Sequence, residues 1–214
     1  MAFLTSKLHK RLKDARSKAF TLFWYRRMFY KMGSRSSITP PFFTYKPEYI
    51  EIGFGVSIGP FCRMEAHPAP VRTKVPKPML KIGDRVHIEH GVNLSCHQKL
   101  VIESDALIAG GCYIGDNNHS MDPEGLSYAE QPLIGAETVI GRGVWLGQNV
   151  CVLAGSYIGE RSIIGAGSIV NGYIPPYSIA VGAPARVVKQ YNFETKEWKR
   201  VSHSEAMTKM IKGV

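Results

Sequence analysis

The chain has 214 residues, of which 44% are hydrophobic, and a formal net charge of +10. That length fits one medium domain with some extra chain at the ends, and no apolar run approaches the ~20 residues a membrane-spanning helix needs. The charge is lopsided: ten Lys and Arg but a single acid, Asp14, lie in residues 1–35, so that segment carries +9 and the rest of the chain +1.

Residues 1–38 read as a basic, aromatic helical arm closed by the breaker "SSITPP". Its apolar stretch "AFTLFWY" is short for a secretory signal, runs directly into Arg26-Arg27 and lacks a small-residue cleavage site. Two readings fit: a solvated helix that packs its aromatics on the body, or a helix resting on an anionic membrane surface. No recognised nucleic-acid motif accompanies the charge, so nucleic acid is not an expected partner.

Residues 39–189 count in sixes. Aliphatic anchors stand at Ile52, Ile58 and Met64, at Ile82, Ile88 and Leu94, and at Ile102, Ile108 and Ile114; a longer series runs Ile134, Ile140, Leu146, Val152, Ile158, Ile164 and Val170. Glycine follows many anchors, as at Gly53, Gly83 and Gly147, and a small or β-branched residue often stands four after, as at Thr138, Ser156 and Ser162. An apolar position every six residues makes no face at a period of 3.6, which argues against helix. It does make a mainly β fold, a parallel β-helix of hexapeptide repeats. Six residues form a short strand and a corner, three such units close a triangular coil, and coils stack ~4.8 Å apart with the anchors inside. The glycine after each anchor is expected to serve the corner's backbone conformation.

The rhythm breaks at residues 65–81, 97–101 and 115–133, and insertions in a solenoid leave as loops from a corner. Residues 190–214 read as a loop followed by a short amphipathic helix covering the open end. The four cysteines, Cys62, Cys96, Cys112 and Cys151, form no CxxC pair; packing is their expected role, in a reducing compartment.

The third break, "NHSMDPEGLSYAEQP", carries a histidine, His119, near its start. Asn93 and His97 fall in the coil below and are candidate acceptor contacts, as is Asn118; the plainer reading of Asn93 is a corner asparagine bonding its own backbone. Trp145 immediately precedes the anchor Leu146, so strand alternation points it outward.

Taken together, the His loop, "GVWLG", "IIGAGSIV" and "IPPYSIAVGAPARVVK" resemble the hexapeptide acyltransferases of the maltose and galactoside O-acetyltransferase type, and especially their relatives in bacterial polysaccharide biosynthesis. The resemblance covers residues 82–189. It implies left-handed coils, acetyl-CoA as co-substrate, no metal, and a homotrimer with active sites between subunits. It implies His119 as general base, acting by direct transfer to a sugar or glycan hydroxyl; Asp122, Glu124 or a backbone carbonyl could orient its other ring nitrogen. The coenzyme contacts it implies are Trp145, bordering the groove, with Gln148, Ala166, Asn171, Gly172, Arg186 and Lys189. Two positions depart from close relatives: Gly172 stands where Lys is frequent, and Lys189 where Arg is, which loses bidentate geometry. A cytoplasmic setting follows, at the inner face of the membrane if the arm binds lipid.

Three alternatives share the fold: an N-acetyltransferase on an amino sugar, a xenobiotic acetyltransferase and a serine acetyltransferase, although 38 residues are too few for the last one's helical N-terminal domain. From a different class, a zinc hydratase of the γ-carbonic anhydrase type would need three histidines on one metal, with His87, His90 and His97 available.

Overall fold

The computed structural model describes residues 12, 15–69 and 77–211. Residues 1–11 and 13–14 of the expected arm, and 70–76 of the expected loop at 65–81, lie outside the described residues. Within them the chain is a parallel β-helix with three sheets. The first has seven strands, from Lys31–Met32 to Tyr173–Ile174, and the third has six, from Phe42–Tyr45 to Ile169–Val170. The second runs from Ser37–Ile38 to Ser178–Val181 and gains two antiparallel strands, which makes nine. Corresponding anchors of successive coils stack in register, as in Ile82, Ile102 and Ile140, or Ile88, Ile108 and Leu146. These anchors are buried and form one continuous core.

The coils begin earlier than the hexad count indicates. Residues 31–38, expected to be helical, are two strands of the first coil, paired with Ile50–Ile52 and Ser57–Ile58. The anchors there, Met32 and Ile38, are buried, and polar neighbours hide their period in the sequence. The first break, at 65–81, is also shorter than expected, because strands Cys62–Ala66 and Leu80–Ile82 occupy both its ends.

The glycines after the anchors have a different reason from the one expected. Positive φ falls two residues later, at Gly55 and Gly143 and equally at Arg35, Arg85, Asp105 and Arg161. What excludes a side chain at Gly53 is the next coil: a Cβ there would lie 2.6 Å from the Gly83 carbonyl carbon, and one at Gly147 would lie 2.6 Å from the Ala166 nitrogen. The small hydroxyl residues four after the anchors tie one coil to the next. The Ser162 hydroxyl donates to the Pro175 carbonyl at 2.8 Å and accepts the Ser178 N–H at 3.2 Å, and Ser156 does the same with Val170 and Gly172. The Ser156 and Ser162 hydroxyls are thereby both satisfied.

Both ends of the prism carry extra chain. Residues 15–23 form helix α1, which lays Ser17 and Thr21 against the first coil and leaves Phe20, Phe23 and, just past its end, Trp24 exposed, whereas the arm's later aromatics Tyr25 and Phe29 pack on the body as the first expected reading had it. At the other end the expected loop is a hairpin, Arg186–Asn192 with Glu197–Arg200, which extends the second sheet. Helix α2, His203–Ile211, follows it and buries Ala206. A capping box starts α2: the Glu205 N–H reaches the Ser202 hydroxyl at 3.2 Å, and the Ser202 N–H reaches the Glu205 carboxylate at 2.7 Å. Among the described residues no helix is long and apolar enough to cross a membrane.

Candidate active site

The third break is a β-hairpin rather than an open loop. Asn117–His119 pairs antiparallel with Leu133–Gly135, and the pair springs from the corner between the third and first sheets. Ile134, counted as an anchor in the sequence, belongs to this hairpin, lies opposite Asn118 and is exposed. It keeps the six-residue spacing to Ile140 without entering the prism.

A buried acid holds the hairpin's root. Asp116 is fully buried and accepts the N–H groups of His97 at 2.6 Å, Gln98 at 2.9 Å and Lys99 at 2.6 Å. Asn117 donates its side-chain amide to the same carboxylate at 3.0 Å. The N–H groups of residues 97–99, in the second break in rhythm, go to Asp116, which supplies the acceptors that the repeat does not. This carboxylate also faces Cys96, whose thiol burial and then the Asp116 charge hold well above its ordinary range. Burial raises the thiols of Cys62, Cys112 and Cys151 as well, and all four cysteines are free.

Gln131 closes the tip. Its side-chain oxygen accepts the Asp122 N–H at 3.0 Å, and its amide donates to the carbonyls of Asp122 at 2.8 Å and Leu126 at 2.7 Å. The backbone carbonyl of this same residue meets His119 Nδ1 at 3.3 Å. A carbonyl can only accept, so the neutral ring carries its proton on Nδ1 and leaves Nε2 as an acceptor. Asp122 and Glu124 do not orient the ring: both are exposed, and the Asp122 carboxylate accepts the Glu124 N–H at 3.0 Å instead. Neither Asp116 nor Gln131 was evident as a site residue in the sequence. The only signal was indirect, an acid and an amide flanking a break in the count.

His97 joins the hairpin root. Its Nδ1 lies 2.7 Å from the His67 carbonyl, and a Cβ on Gly135 would come 3.3 Å from its Cδ2. Asn93 is exposed at the start of strand Asn93–Cys96 on the third sheet rather than at a corner, with a long bond of 3.4 Å to the Gly91 carbonyl. Asn118 is exposed beside His119.

The remaining candidates fall in two places. Asn171 and Gly172 occupy the corner between the third and first sheets, above the hairpin; Gly172 has φ of 111° and open space around it. Trp145 is half exposed on the second sheet, between Leu107 and Ile163. Gln148 and Ala166 are exposed on stacked corners that join the second sheet to the third, where the Gly167 N–H bonds the Gln148 carbonyl at 2.8 Å. Arg186 and Lys189 lie on the C-terminal hairpin, opposite Val181 and Ile179 of the second sheet. Lys189 pairs with Arg200 across that hairpin, and both line a cavity of about 620 Å³. One chain therefore places His97 at the root of the hairpin that carries His119, with Trp145 on the second sheet.

A zinc site from His87, His90 and His97 does not form. His87 stands on the second sheet, the His90 ring packs at the Gly110 corner and His97 sits at the hairpin root. Among the described residues no three His, Cys, Asp or Glu side chains converge as a metal set.

Residues 137–172 match the family model described as bacterial transferase hexapeptide (six repeats). The chain is 36% identical over 125 residues to the putative lipopolysaccharide biosynthesis O-acetyl transferase WbbJ of Escherichia coli K12, covering 55% of this chain and 64% of that protein. It is 35% identical over 160 residues to the probable acetyltransferase Rv3034c of Mycobacterium tuberculosis, covering 74% of this chain and 50% of that one. The chain thus spans about half to two thirds of the length of these curated relatives. Among solved structures, a mutant of the N-acyltransferase AntD from Bacillus cereus, in complex with dTDP and coenzyme A, shares the fold with a TM-score of 0.65 at 20% identity, over 89% of this chain and 95% of that one. These neighbours are consistent with left-handed winding of the coils. The register of the three sheets, the family match and the two curated relatives together make this chain a hexapeptide-repeat β-helix protein, similar to the acyltransferases built on that fold.

Proposed function

We propose that the protein is an acetyl-CoA-dependent O-acetyltransferase acting on a hydroxyl of a sugar or glycan precursor, with His119 as general base. The observation that carries this reading is the contact of His119 Nδ1 with the Gln131 carbonyl, which leaves Nε2 as a proton acceptor on an exposed hairpin. A sugar hydroxyl is a poor nucleophile at neutral pH. With Nε2 taking its proton, the oxygen attacks the thioester carbonyl carbon, the carbon–sulfur bond breaks, and the proton passes from the imidazolium to the departing coenzyme thiolate. The transient oxyanion is stabilised by N–H donors, most simply from the backbone. Arg186 and Lys189, joined by Arg200, supply positive charge suited to the coenzyme's phosphates, and Gln148, Ala166, Asn171 and Gly172 flank the path of its pantetheine.

Because His119 and Trp145 occupy different faces of one prism, this reading requires a second copy to complete each site, and a homotrimer with three equivalent sites satisfies that requirement. Dependence on acetyl-CoA goes with a cytoplasmic setting.

The test is an acceptor screen with acetyl-CoA, read by thiol release and by mass for the gain of one acetyl group. His119→Ala is expected to lower kcat by roughly 10²–10⁴ while leaving coenzyme affinity and oligomeric state nearly intact. Turnover within a few-fold of wild type would mean that the base lies elsewhere, with His97 next. A second reading, acetylation of an amino sugar, is favoured by the fold shared with an N-acyltransferase. Mild alkali separates the two, since it removes an acetyl ester and leaves an acetamide.

A further inference from the structure

Helix α1 caps the N-terminal end of the prism with its polar side inward. Ser17 and Thr21, four residues apart, are 5% and 3% exposed. The Thr21 hydroxyl donates to the Ser17 carbonyl at 2.7 Å and accepts the Ile38 N–H at 2.9 Å, which ties the helix to the first coil. A helix docked on a protein ordinarily buries its apolar stripe and exposes its polar one. Here Arg16, Phe20 and Phe23 of the helix, and Trp24 just past its end, are instead exposed, Phe23 and Trp24 at 72% and 66%. The patch extends beyond the helix. Phe20 and Trp24 line a cavity of about 740 Å³ together with Phe43 and Tyr45, which stand out from the first coil.

A contiguous exposed apolar patch marks an interaction surface, and the charge around this one selects its occupant. The Arg16 guanidinium lies 5.8 Å over the Phe20 ring, Arg26 and Arg27 follow Trp24 directly, and residues 1–35 together carry +9. A second copy of the chain would bring an equal positive charge against this one. A neutral apolar partner would leave the cations without counter-charge. An anionic bilayer answers both needs, taking aromatic rings at the boundary between headgroups and acyl chains and pairing Lys and Arg with lipid phosphates. We propose that the exposed aromatics of α1 and Trp24, with Phe43 and Tyr45, are a docking face for an anionic membrane surface, held from behind by the Ser17–Thr21 contact with the first coil.

The experiment is co-sedimentation of the full-length protein with phosphatidylcholine vesicles, with and without phosphatidylglycerol. Binding is expected only with phosphatidylglycerol, and molar salt should weaken it at least about tenfold. The double variant Phe23→Ser/Trp24→Ser alters exposed side chains only, so its melting curve should match wild type while binding falls about tenfold or more. Arg26→Glu/Arg27→Glu should have a similar effect through charge alone, and Tyr128→Ser, exposed and outside the proposed face, should have none. Equal binding to neutral vesicles, no binding to either, or unaltered binding by both double variants would overturn the proposal. So would concentration-dependent self-association that the aromatic variant abolishes in the absence of lipid binding, which would assign the face to a second copy instead.

Discussion

The coils and the hairpin at 117–135 solve the same backbone problem by opposite means. In the coils each strand bonds to the strand above and below, and its place follows from the anchor at its centre, as in the ladder of Ile88, Ile108 and Leu146. The hairpin pairs only with itself. Its position therefore depends on two buried polar side chains, Asp116 at the root and Gln131 at the tip. Hydrophobic repetition can place a core without any polar group being special, but aiming a single imidazole off that core requires specific hydrogen bonds.

The sharpest way to break this comparison is to damage each region once. Ile108→Ala removes a fully buried anchor and should cost about 2–5 kcal/mol of stability, with the turnover of the remaining folded protein unchanged. Asp116→Asn should cost a similar amount, about 2–4 kcal/mol, because one amide nitrogen would face donors that now bond to oxygen. The two differ in where the damage appears. Limited proteolysis of Asp116→Asn should cut within residues 117–135 before the coils, and its kcat should fall with it, whereas Ile108→Ala should show no preferred cleavage there. Identical cleavage patterns would mean that the hairpin is held by the coils rather than by the acid.

A smaller effect is expected at the tip. Gln131→Ala removes three hydrogen bonds and keeps the carbonyl that faces His119, but that carbonyl is then loosely placed. The expected outcome is a kcat lowered on the order of tenfold, with KM and Tm nearly unaltered. An unaltered kcat would show that the ring needs no support from the tip.

The smallest effect belongs to the coil corners. The Arg85 guanidinium bonds Asp105 at 2.6 and 2.9 Å and, with the nearby Arg142, holds its carboxyl below the usual carboxylate range. A depressed folded-state pKa stabilises above the unfolded value and is lost as pH falls through the folded one. Asp105→Asn should therefore lower Tm slightly at pH 7, and the deficit should shrink as pH falls below the ordinary carboxylate range and vanish once it has passed below the depressed folded-state pKa. A deficit that persists in acid would point to the αL corner at Asp105 rather than its charge.

Much of the coil architecture is legible in the residue string because a six-residue anchor period is local information. Ile82, Ile102 and Ile140 can each be located without knowing what they touch. The same locality misleads at Ile134, which has the right spacing and the wrong partner, and at the first coil, where Ser36, Ser37 and Thr39 surround Ile38. The glycines could be found but not explained, since the clash at Gly53 is with Gly83, thirty residues away on the next coil.

The candidate site divides along the same line. His119 stands out because it interrupts a repeat, and its family motif names a role for it. Its proton location does not, because that depends on a carbonyl twelve residues later, brought back by the hairpin. Asp116 is silent in the sequence, since an acid two residues past an anchor reads as a corner residue until the unpaired amides of residues 97–99 are placed beside it. The outward aromatics of α1 show the same limit: composition reveals a basic, aromatic helix, but only docking on Ile38 decides that Ser17 and Thr21 turn inward. By itself, the sequence determined the parts whose energy comes from repetition, namely the coil period, the buried anchors and the break that carries a histidine. Tertiary structure alone decided the parts whose energy comes from partners distant along the chain: the hairpin's root, the imidazole's tautomer and the exposed face of the N-terminal helix. The physical reason is that burying an apolar residue needs only a nonspecific interior, whereas satisfying a buried polar group requires one particular partner at one particular place.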